Sequence, residues 1–173
     1  ETAHKFLSKI FEDRKVEKYY LGIVIGAPEN KAGLIDAPIS EHPLHKGLMV
    51  VHRNGKPSQT GYEVLDSNKN YSLVSFQLHT GRTHQIRVHA KHIGHPLACD
   101  PLYGDGKPVM LSAIKKKFKL SKHDETERPM ISRLALHSYK LSFEDMHGIP
   151  MSLEAEMPKE FRALMQQLKK NLR

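Results

Sequence analysis

Residues 78–89 read LHTGRTHQIRVH and join a strand-like run to a helix-like run. The run before it, Tyr71 to Leu78, alternates in polarity and predicts a half-buried strand. The run after it has a helical apolar spacing, and we expect a helix from Thr83, which suits an N-cap, to a stop at Gly94. A strand, a glycine turn and a helix N-terminus in succession favour anion binding, although local patterning equally allows an ordinary solvated corner.

Shorter motifs flank that stretch in a fixed order. They are KYYLGIVIG at 18–26, GKPSQT at 55–60, GHPL at 94–97, DPLYG at 100–104 and RLALH at 133–137. Together with the central TGRTHQIRVH, they resemble the signature of the RluA-type RNA pseudouridine synthases. The resemblance runs from about Leu7 to Phe161, and its one departure in the first strand is Gly22 in place of the family's usual alanine.

The central element of that family pattern has no counterpart in the chain. It is an Arg-Leu-Asp-x-x-Thr-Ser-Gly segment whose aspartate attacks the uridine. No aspartate here has those neighbours; the aspartates are Asp13, Asp36, Asp66, Asp100, Asp105, Asp124 and Asp145. The chain starts at Glu1 and shows helical spacing from Ala3. We therefore expect residues 1–173 to form a single domain, the C-terminal portion of a pseudouridine synthase catalytic domain, and to be inactive alone.

The resemblance implies an enzyme that isomerises specific uridines to pseudouridine in structured RNA, with ribosomal RNA favoured over transfer RNA. The reaction breaks the bond between ribose C1′ and uracil N1 and rejoins the base through C5, with no cofactor and no metal. The target nucleotide has to leave its stack for this chemistry. The implied fold is an α+β pseudouridine synthase fold, a mainly antiparallel, bent mixed sheet with flanking helices and a cleft, incomplete in this chain.

The resemblance also assigns roles to individual residues. Tyr20 would stack on the everted uracil and take part in proton removal from C5. Arg87 would pair with the catalytic aspartate and keep it ionised, and without that partner we expect Arg87 to be unpaired or to bind solvent anions. RNA contacts are expected from Lys18, Arg82, Thr83, His84 and Leu136. The structural alternatives are a core aromatic for Tyr20, a plain surface arginine for Arg87 and a core leucine for Leu136.

Composition narrows the class of protein. The formal charge of +8 suits a polyanionic partner such as RNA, or simply a solvated basic surface. The single cysteine, Cys99, excludes an internal disulfide and favours a reducing cytoplasm. No apolar run approaches the ~20 residues that span a bilayer. The histidines at 79, 84 and 89 recur every five residues, which suits no helical zinc pair, so no metal is expected. We expect a cytoplasmic monomer.

The remaining pattern predicts an α+β domain with a mainly antiparallel sheet. The expected elements are a helix over 3–12, a buried strand over 19–25, a long loop over 27–47 with one short element near 34–39, short strands over 48–52 and 62–66 on either side of an Asn54-Gly55 turn, a charged loop over 115–129, a hairpin of 136–143 with 151–155, and a helix after Pro158 with an apolar stripe of Phe161, Leu164, Met165 and Leu168.

Two other functions compete with the enzyme. An RNA-binding module without chemistry would use the same fold and the same basic surface. A basic structural protein would explain the charge but not the ordered motifs. The gene segment just upstream discriminates between the enzyme and the RNA-binding module, since the enzyme requires the aspartate there.

Overall fold

The computed structural model describes residues 2–115, 117–120 and 126–171. The elements within these ranges are α1 (Thr2–Glu12), β1 (Glu17–Ile25), β2 (Ala32–Asp36), β3 (Ile39–Glu41), β4 (Met49–Val51), β5 (Gln59–Ser67), β6 (Tyr71–Leu78), α2 (Gln85–His92), a 3₁₀ turn (Leu111–Ala113), β7 (Leu136–Glu144), β8 (Pro150–Glu154) and α3 (Lys159–Lys170). Positions 116 and 121–125 of the charged loop predicted over 115–129 lie outside the described residues.

A six-stranded sheet in the order β2-β5-β6-β1-β7-β8 organises the domain, and every neighbouring pair in it is antiparallel. This confirms the predicted α+β class with a mainly antiparallel sheet. Strand β1 lies inside the sheet between β6 and β7, and its residues Ile23 and Val24 are 0% and 1% exposed. Both of its faces are covered, as its continuous apolar run predicts.

The two faces of the sheet are covered by different helices. On one face, Leu21 and Ile23 of β1 share an apolar cluster with three buried residues of α3: Phe161, Leu164 and Leu168. On the other face, Val24 packs in a second cluster with Ile86 and Ala90 of α2. The alternation of side chains along β1 therefore sends odd-numbered residues towards α3 and even-numbered residues towards α2. Tyr20 belongs to the even-numbered set.

Several predicted elements are confirmed with bounds within two residues. Strand β6 spans Tyr71–Leu78 as predicted, although it is more deeply buried than a half-buried strand. The hairpin of β7 and β8 turns at Gly148, which has a φ of 77°. Helix α3 follows Pro158 and buries Phe161, Leu164 and Leu168 of the predicted stripe, whereas Met165 is only partly buried. No helix in the part of the chain that the structure describes is long and apolar enough to cross a membrane.

The prediction for residues 27–67 was wrong in its pairing. The predicted loop contains two strands, and β4 pairs with β3 as a separate ribbon, whereas β5 pairs with β2 and β6. The reason is the close approach of Gly55 to β3, where a Cβ on Gly55 would lie 2.6 Å from the carbonyl carbon of Ile39. Lys56 exchanges two backbone hydrogen bonds with Ile39, so the Asn54-Gly55 turn docks onto β3. It does not reverse the chain between β4 and β5.

The start of α2 also differs from the prediction. The helix begins at Gln85, after His84 in the left-handed region with a φ of 54°, and Thr83 is exposed and does not cap it. The turn is closed by the side chain of Gln85, whose Oε1 accepts from the amide of Arg82 and the hydroxyl of Thr80. The predicted stop is confirmed, because Gly94 has a φ of 81°.

Candidate active site

Tyr20 lies in the middle of the sheet at an irregular point of strand pairing. It lies opposite Phe76 of β6 and Ser138 of β7, and the register between β1 and β7 shifts between Tyr19 and Tyr20. The shift leaves Tyr139 as an extra residue on β7. Bulges of this kind bend a strand and re-aim the side chains next to them, and they are over-represented beside active sites.

The half-buried Tyr20 ring lies on the α2 face of the sheet. Tyr20, Leu134 and Leu136 all pack against the apolar cluster that contains Ile86 of α2. Tyr20 and Leu136 belong to the adjacent strands β1 and β7 and lie on the same face. Both side chains remain partly accessible, as contact with a planar ring would require.

Arg87 is held by an aspartate of the same chain. Its Nε donates to Oδ2 of Asp100 at 2.8 Å, and its Nη2 donates to Oδ1 at 2.7 Å. The Asp100 side chain is completely buried and that of Arg87 is 13% exposed. The expectation that Arg87 is unpaired or bound to solvent anions was therefore wrong. Asp100 follows the GHPL motif by three positions, and the turn there points its carboxylate at α2.

Hydrogen bonds hold both Arg87 and Asp100 in their charged forms. Burial disfavours the charged form of Asp100, but the hydrogen bonds from Arg87 and from the amides of Leu102 and Tyr103 outweigh it and lower the pKa of Asp100. The hydrogen bond to Asp100 raises the pKa of Arg87. The Arg87 guanidinium also lies over the Tyr103 ring, 4.9 Å from its centroid. Both groups are thus charged at neutral pH.

Tyr103 links this pair to His84. Its hydroxyl lies 2.9 Å from Nδ1 of His84 and accepts a 2.9 Å hydrogen bond from the amide of Met49 in β4. The hydroxyl accepts from Met49 and can donate its own proton in a hydrogen bond to Nδ1 of His84. Burial, followed by the charge of Arg87, lowers the pKa of His84, so the ring is neutral at neutral pH. The predicted RNA contact His84 is therefore fixed within the domain.

A buried polar network beneath the signature was not expected from the sequence. Nε2 of Gln85 donates to the carbonyl of Gln59 and to the hydroxyl of Thr60, at 2.9 and 2.8 Å. His89 is fully buried, with Nε2 on the carbonyl of Ala37 and Nδ1 on the hydroxyl of Thr60. Nε2 must donate to that carbonyl, so Nδ1 accepts from Thr60. Burial lowers the pKa of His89, which keeps this neutral tautomer.

The side chains of the other predicted RNA contacts differ in how many bonds they already make within the domain. Arg82 donates from Nε and Nη2 to the carbonyl of Pro57 at 3.2 Å, so its guanidinium is partly committed to the backbone. Thr83 is exposed. The ammonium of Lys18 lies 5.9 Å from the ring centroid of Phe11 and faces a cleft of about 290 Å³ whose walls include Gly81. Lys18 and the signature turn therefore border one cleft.

The structure does not join every predicted site residue into one contact network. Tyr20 and Leu136 pack against the cluster that contains Ile86, whereas the adjacent Arg87 contacts Asp100 and Tyr103. The DPLYG motif contained a signal for that pair, since it places an acid and an aromatic residue after a basic helix. Among the described residues, no group of three or more histidine, cysteine, aspartate or glutamate side chains could hold a metal ion.

Comparison with known proteins identifies relatives over most of the chain. A family model described as RNA pseudouridylate synthase matches residues 1–92. The ribosomal large subunit pseudouridine synthase D of Nitrosomonas europaea is 40% identical, over 94% of this chain and 44% of that protein. Its namesake in Pasteurella multocida is 35% identical, over 96% and 49%. The chain spans about half the length of these curated relatives. Among solved structures, Human RNA Pseudouridylate Synthase Domain Containing 4 superposes with a TM-score of 0.69 at 27% identity, over 97% of this chain and 67% of that one.

Proposed function

Since the chain belongs to the RNA pseudouridylate synthase family, we propose that it forms the C-terminal part of the catalytic domain of an enzyme that converts uridine to pseudouridine in RNA. The observation that carries the proposal is the placement of Tyr20, Leu136 and the signature helix α2 on one face of the sheet. An aromatic ring and a leucine that are both partly accessible on one face suit a planar pyrimidine, and a fixed arginine on α2 suits a carboxylate.

Each of these residues has a physical role in that reaction. The ring of Tyr20 stacks on the everted uracil, and its hydroxyl takes part in removing the proton from C5 after the new carbon–carbon bond forms. Leu136 lines the apolar surface that receives the base. Arg87 keeps a nearby carboxylate ionised through a charge-assisted hydrogen bond. The catalytic carboxylate itself is assigned to the segment that the resemblance places N-terminal to α1.

The basic surface supports a role for RNA backbone contacts in affinity. Lys18, Arg82, Thr83 and His84 lie on or beside the signature turn, and the chain carries a formal charge of +8. Contacts to phosphates from such a surface position the RNA without reading its sequence. Two relatives of this chain are named as synthases of the ribosomal large subunit. We propose ribosomal RNA as the substrate and the cytoplasm as the site of action.

The test uses the full-length protein and separated pools of unmodified ribosomal and transfer RNA. Pseudouridine is measured by mass spectrometry after chemical derivatisation, and RNA affinity is measured in parallel. We expect product in ribosomal RNA, and loss of that product in Arg87→Lys with affinity changed by less than a few-fold. Arg133→Lys is the matched control, because the Arg133 guanidinium pairs with Glu160 and lies over the Phe161 ring, on the α3 side of the sheet.

The same assay decides between the enzyme and the RNA-binding module. Tight RNA binding without any product at stoichiometric enzyme would support the module and contradict the enzyme. Product in transfer RNA alone would keep the enzyme and correct the substrate.

A further inference from the structure

Gly81 is a glycine that neither the backbone conformation nor the packing of the fold requires. Its φ lies outside the left-handed region, and a Cβ placed on it would meet a single atom within 4 Å, the ammonium nitrogen of Lys18 at 3.7 Å. A Cβ on Gly55, by contrast, would lie 2.6 Å from the backbone of Ile39. The space in front of Gly81 is therefore open, and glycine is favoured where the backbone has to approach a ligand closely.

This open space is part of the cleft of about 290 Å³ that Thr80 and Gly81 line. The Thr80 hydroxyl is already used, because it accepts from the amide of Gln59 and donates to Oε1 of Gln85. The amides of Thr80 and Gly81 make no hydrogen bond within the described parts of the chain. Successive free amides in a turn form a concave surface that suits an anion.

The opposite side of the cleft carries positive charge. The ammonium of Lys18 faces Gly81 and lies 5.9 Å from the centroid of the Phe11 ring, which attracts it. The exposed Arg14 lines the same cleft. Neither Lys18 nor Arg14 forms an ion pair with another residue that the structure describes. Both charges are thus available to a ligand in the cleft.

Two carboxylates also line the cleft, but they do not neutralise Lys18. Glu12 and Glu17 form no ion pair with Lys18 in the described ranges. Oε2 of Glu17 instead accepts a 3.0 Å hydrogen bond from the hydroxyl of Tyr19. Tyr19 belongs to the odd-numbered residues of β1, so this bond turns the Glu17 carboxylate towards the α3 face.

The cleft adjoins the candidate active site along β1. Lys18 and Tyr20 are two positions apart on this strand, so their side chains leave the same face and their Cα atoms are separated by about 7 Å. A ligand that reaches from the Tyr20 ring to the Lys18 ammonium therefore needs an aromatic base and a nearby anionic group. A nucleotide within an RNA strand has both.

We propose that the cleft is a phosphate site, in which Gly81 and Lys18 hold one backbone phosphate of the RNA beside the nucleotide that Tyr20 contacts. Gly81 lets the phosphate oxygens reach the amides of Thr80 and Gly81, Lys18 supplies the opposite charge, and Arg14 adds to the positive potential. This inference rests on the proposed function for its ligand, RNA, and adds to it a binding role for a glycine and for Arg14.

Equilibrium binding of the full-length protein to unmodified ribosomal RNA and to transfer RNA, at several salt concentrations, tests the phosphate site. The logarithm of the binding constant falls linearly with the logarithm of the salt concentration, and in Lys18→Met we expect this slope to be smaller by about one. In Gly81→Ala we expect affinity to fall by about tenfold, as for the loss of a hydrogen bond to a charged group. The loss should be the same for both RNAs, because a phosphate carries no sequence information.

Two comparisons separate this site from a general loss of charge or of folding. Lys169→Met removes a positive charge from α3, where Lys169 lies 3.6 Å from Asp66, and we expect its slope and affinity to match the wild type. The urea midpoint of Gly81→Ala should also match the wild type, since nothing packs tightly against the new Cβ. In the double variant Lys18→Met/Gly81→Ala, the loss of affinity should be smaller than the two single losses combined, because both act on one phosphate.

The results that contradict the phosphate site differ from those that contradict the proposed function. A wild-type salt slope in Lys18→Met, a loss confined to one of the two RNAs, or fully additive losses in the double variant would overturn the site. If Gly81→Ala does not fold, the slope of Lys18→Met decides. Absence of pseudouridine in RNA treated with the wild-type protein would overturn the proposed function, whereas the binding measurements would still decide the phosphate site.

Discussion

Replacing Arg87 by methionine removes the partner of a buried charge, and its effect on stability follows from the geometry of the site. Asp100 would keep the two amide hydrogen bonds from Leu102 and Tyr103 but lose both bonds from the guanidinium. Breaking a buried ion pair by deleting one partner typically costs about 3–5 kcal/mol. Methionine preserves most of the apolar stem that packs beside Tyr103, so we expect a cost near the lower figure at neutral pH.

The pH dependence of that cost is the sharper part of the prediction. In the wild type the folded-state pKa of Asp100 is below its ordinary value, so its contribution to stability is complete above that value and is lost as the pH falls through the folded pKa. Without Arg87 the same buried carboxyl has a higher pKa than in the wild type, and its protonation relieves the cost sooner. The gap in stability between wild type and Arg87→Met therefore narrows as the pH falls from 7 towards 4.

Urea unfolding of the full-length protein, followed by far-ultraviolet circular dichroism at pH 7, 6, 5 and 4, measures this gap. Arg133→Met is the matched control. Its pair with Glu160 is solvent-exposed, at 51% and 35%, and exposed pairs contribute about 1 kcal/mol or less. A gap for Arg87→Met that is no larger than that of Arg133→Met, or that widens as the pH falls, would refute the buried-pair argument.

Three further predictions concern the role of Tyr20, the activity of residues 1–173 alone and the packing of Gly55 against β3. Tyr20→Ala in the full-length protein should leave RNA affinity within a few-fold and abolish isomerisation in the mass-spectrometric assay; retained turnover would contradict the role of Tyr20. The 173-residue chain alone should bind RNA but form no pseudouridine, because Asp100 is committed to Arg87; product would mean that another carboxylate serves. Gly55→Ala should lower the free energy of unfolding in urea by about 2 kcal/mol, because it disturbs the two hydrogen bonds between Ile39 and Lys56. Gly81→Ala is the control, since its new Cβ meets only Lys18 Nζ, at 3.7 Å, and we expect it to cost less than about 0.5 kcal/mol.

The elements that the sequence predicted well are those whose burial follows a local period. The stripe of α3 and the run of β6 bury their apolar residues against a neighbour on a regular spacing, and this spacing is visible in the sequence. The pairing of β3 with β4 has no such signature. It depends on Gly55 approaching the backbone of Ile39. These two residues are distant in the sequence but close in space. Local patterns cannot specify a contact of that kind.

The site shows the same division. Tyr20 and Leu136 were assigned through the resemblance, and both pack against the same apolar cluster on the α2 face. The partner of Arg87 was missed because the resemblance directed attention to an aspartate outside the chain. The DPLYG motif marks Asp100 among the aspartates, but the burial and the orientation of its carboxylate depend on the turn that follows Cys99, which the sequence does not show. Charge complementarity within a fold is a tertiary property.

Within the signature, the hydrogen bonds of a side chain show whether it holds the turn in place or can still bind a substrate group. Gln85 uses both sides of its amide, with two bonds accepted at Oε1 and two donated from Nε2, and His89 uses both ring nitrogens. Groups that are fully satisfied inside the domain have nothing left to offer a substrate, so these two residues hold the turn in place. Arg87 differs because, among the residues that the structure describes, its Nη1 has no hydrogen-bond partner. A charged guanidinium that is held through its other nitrogens and keeps one free donor is preorganised for one more anion.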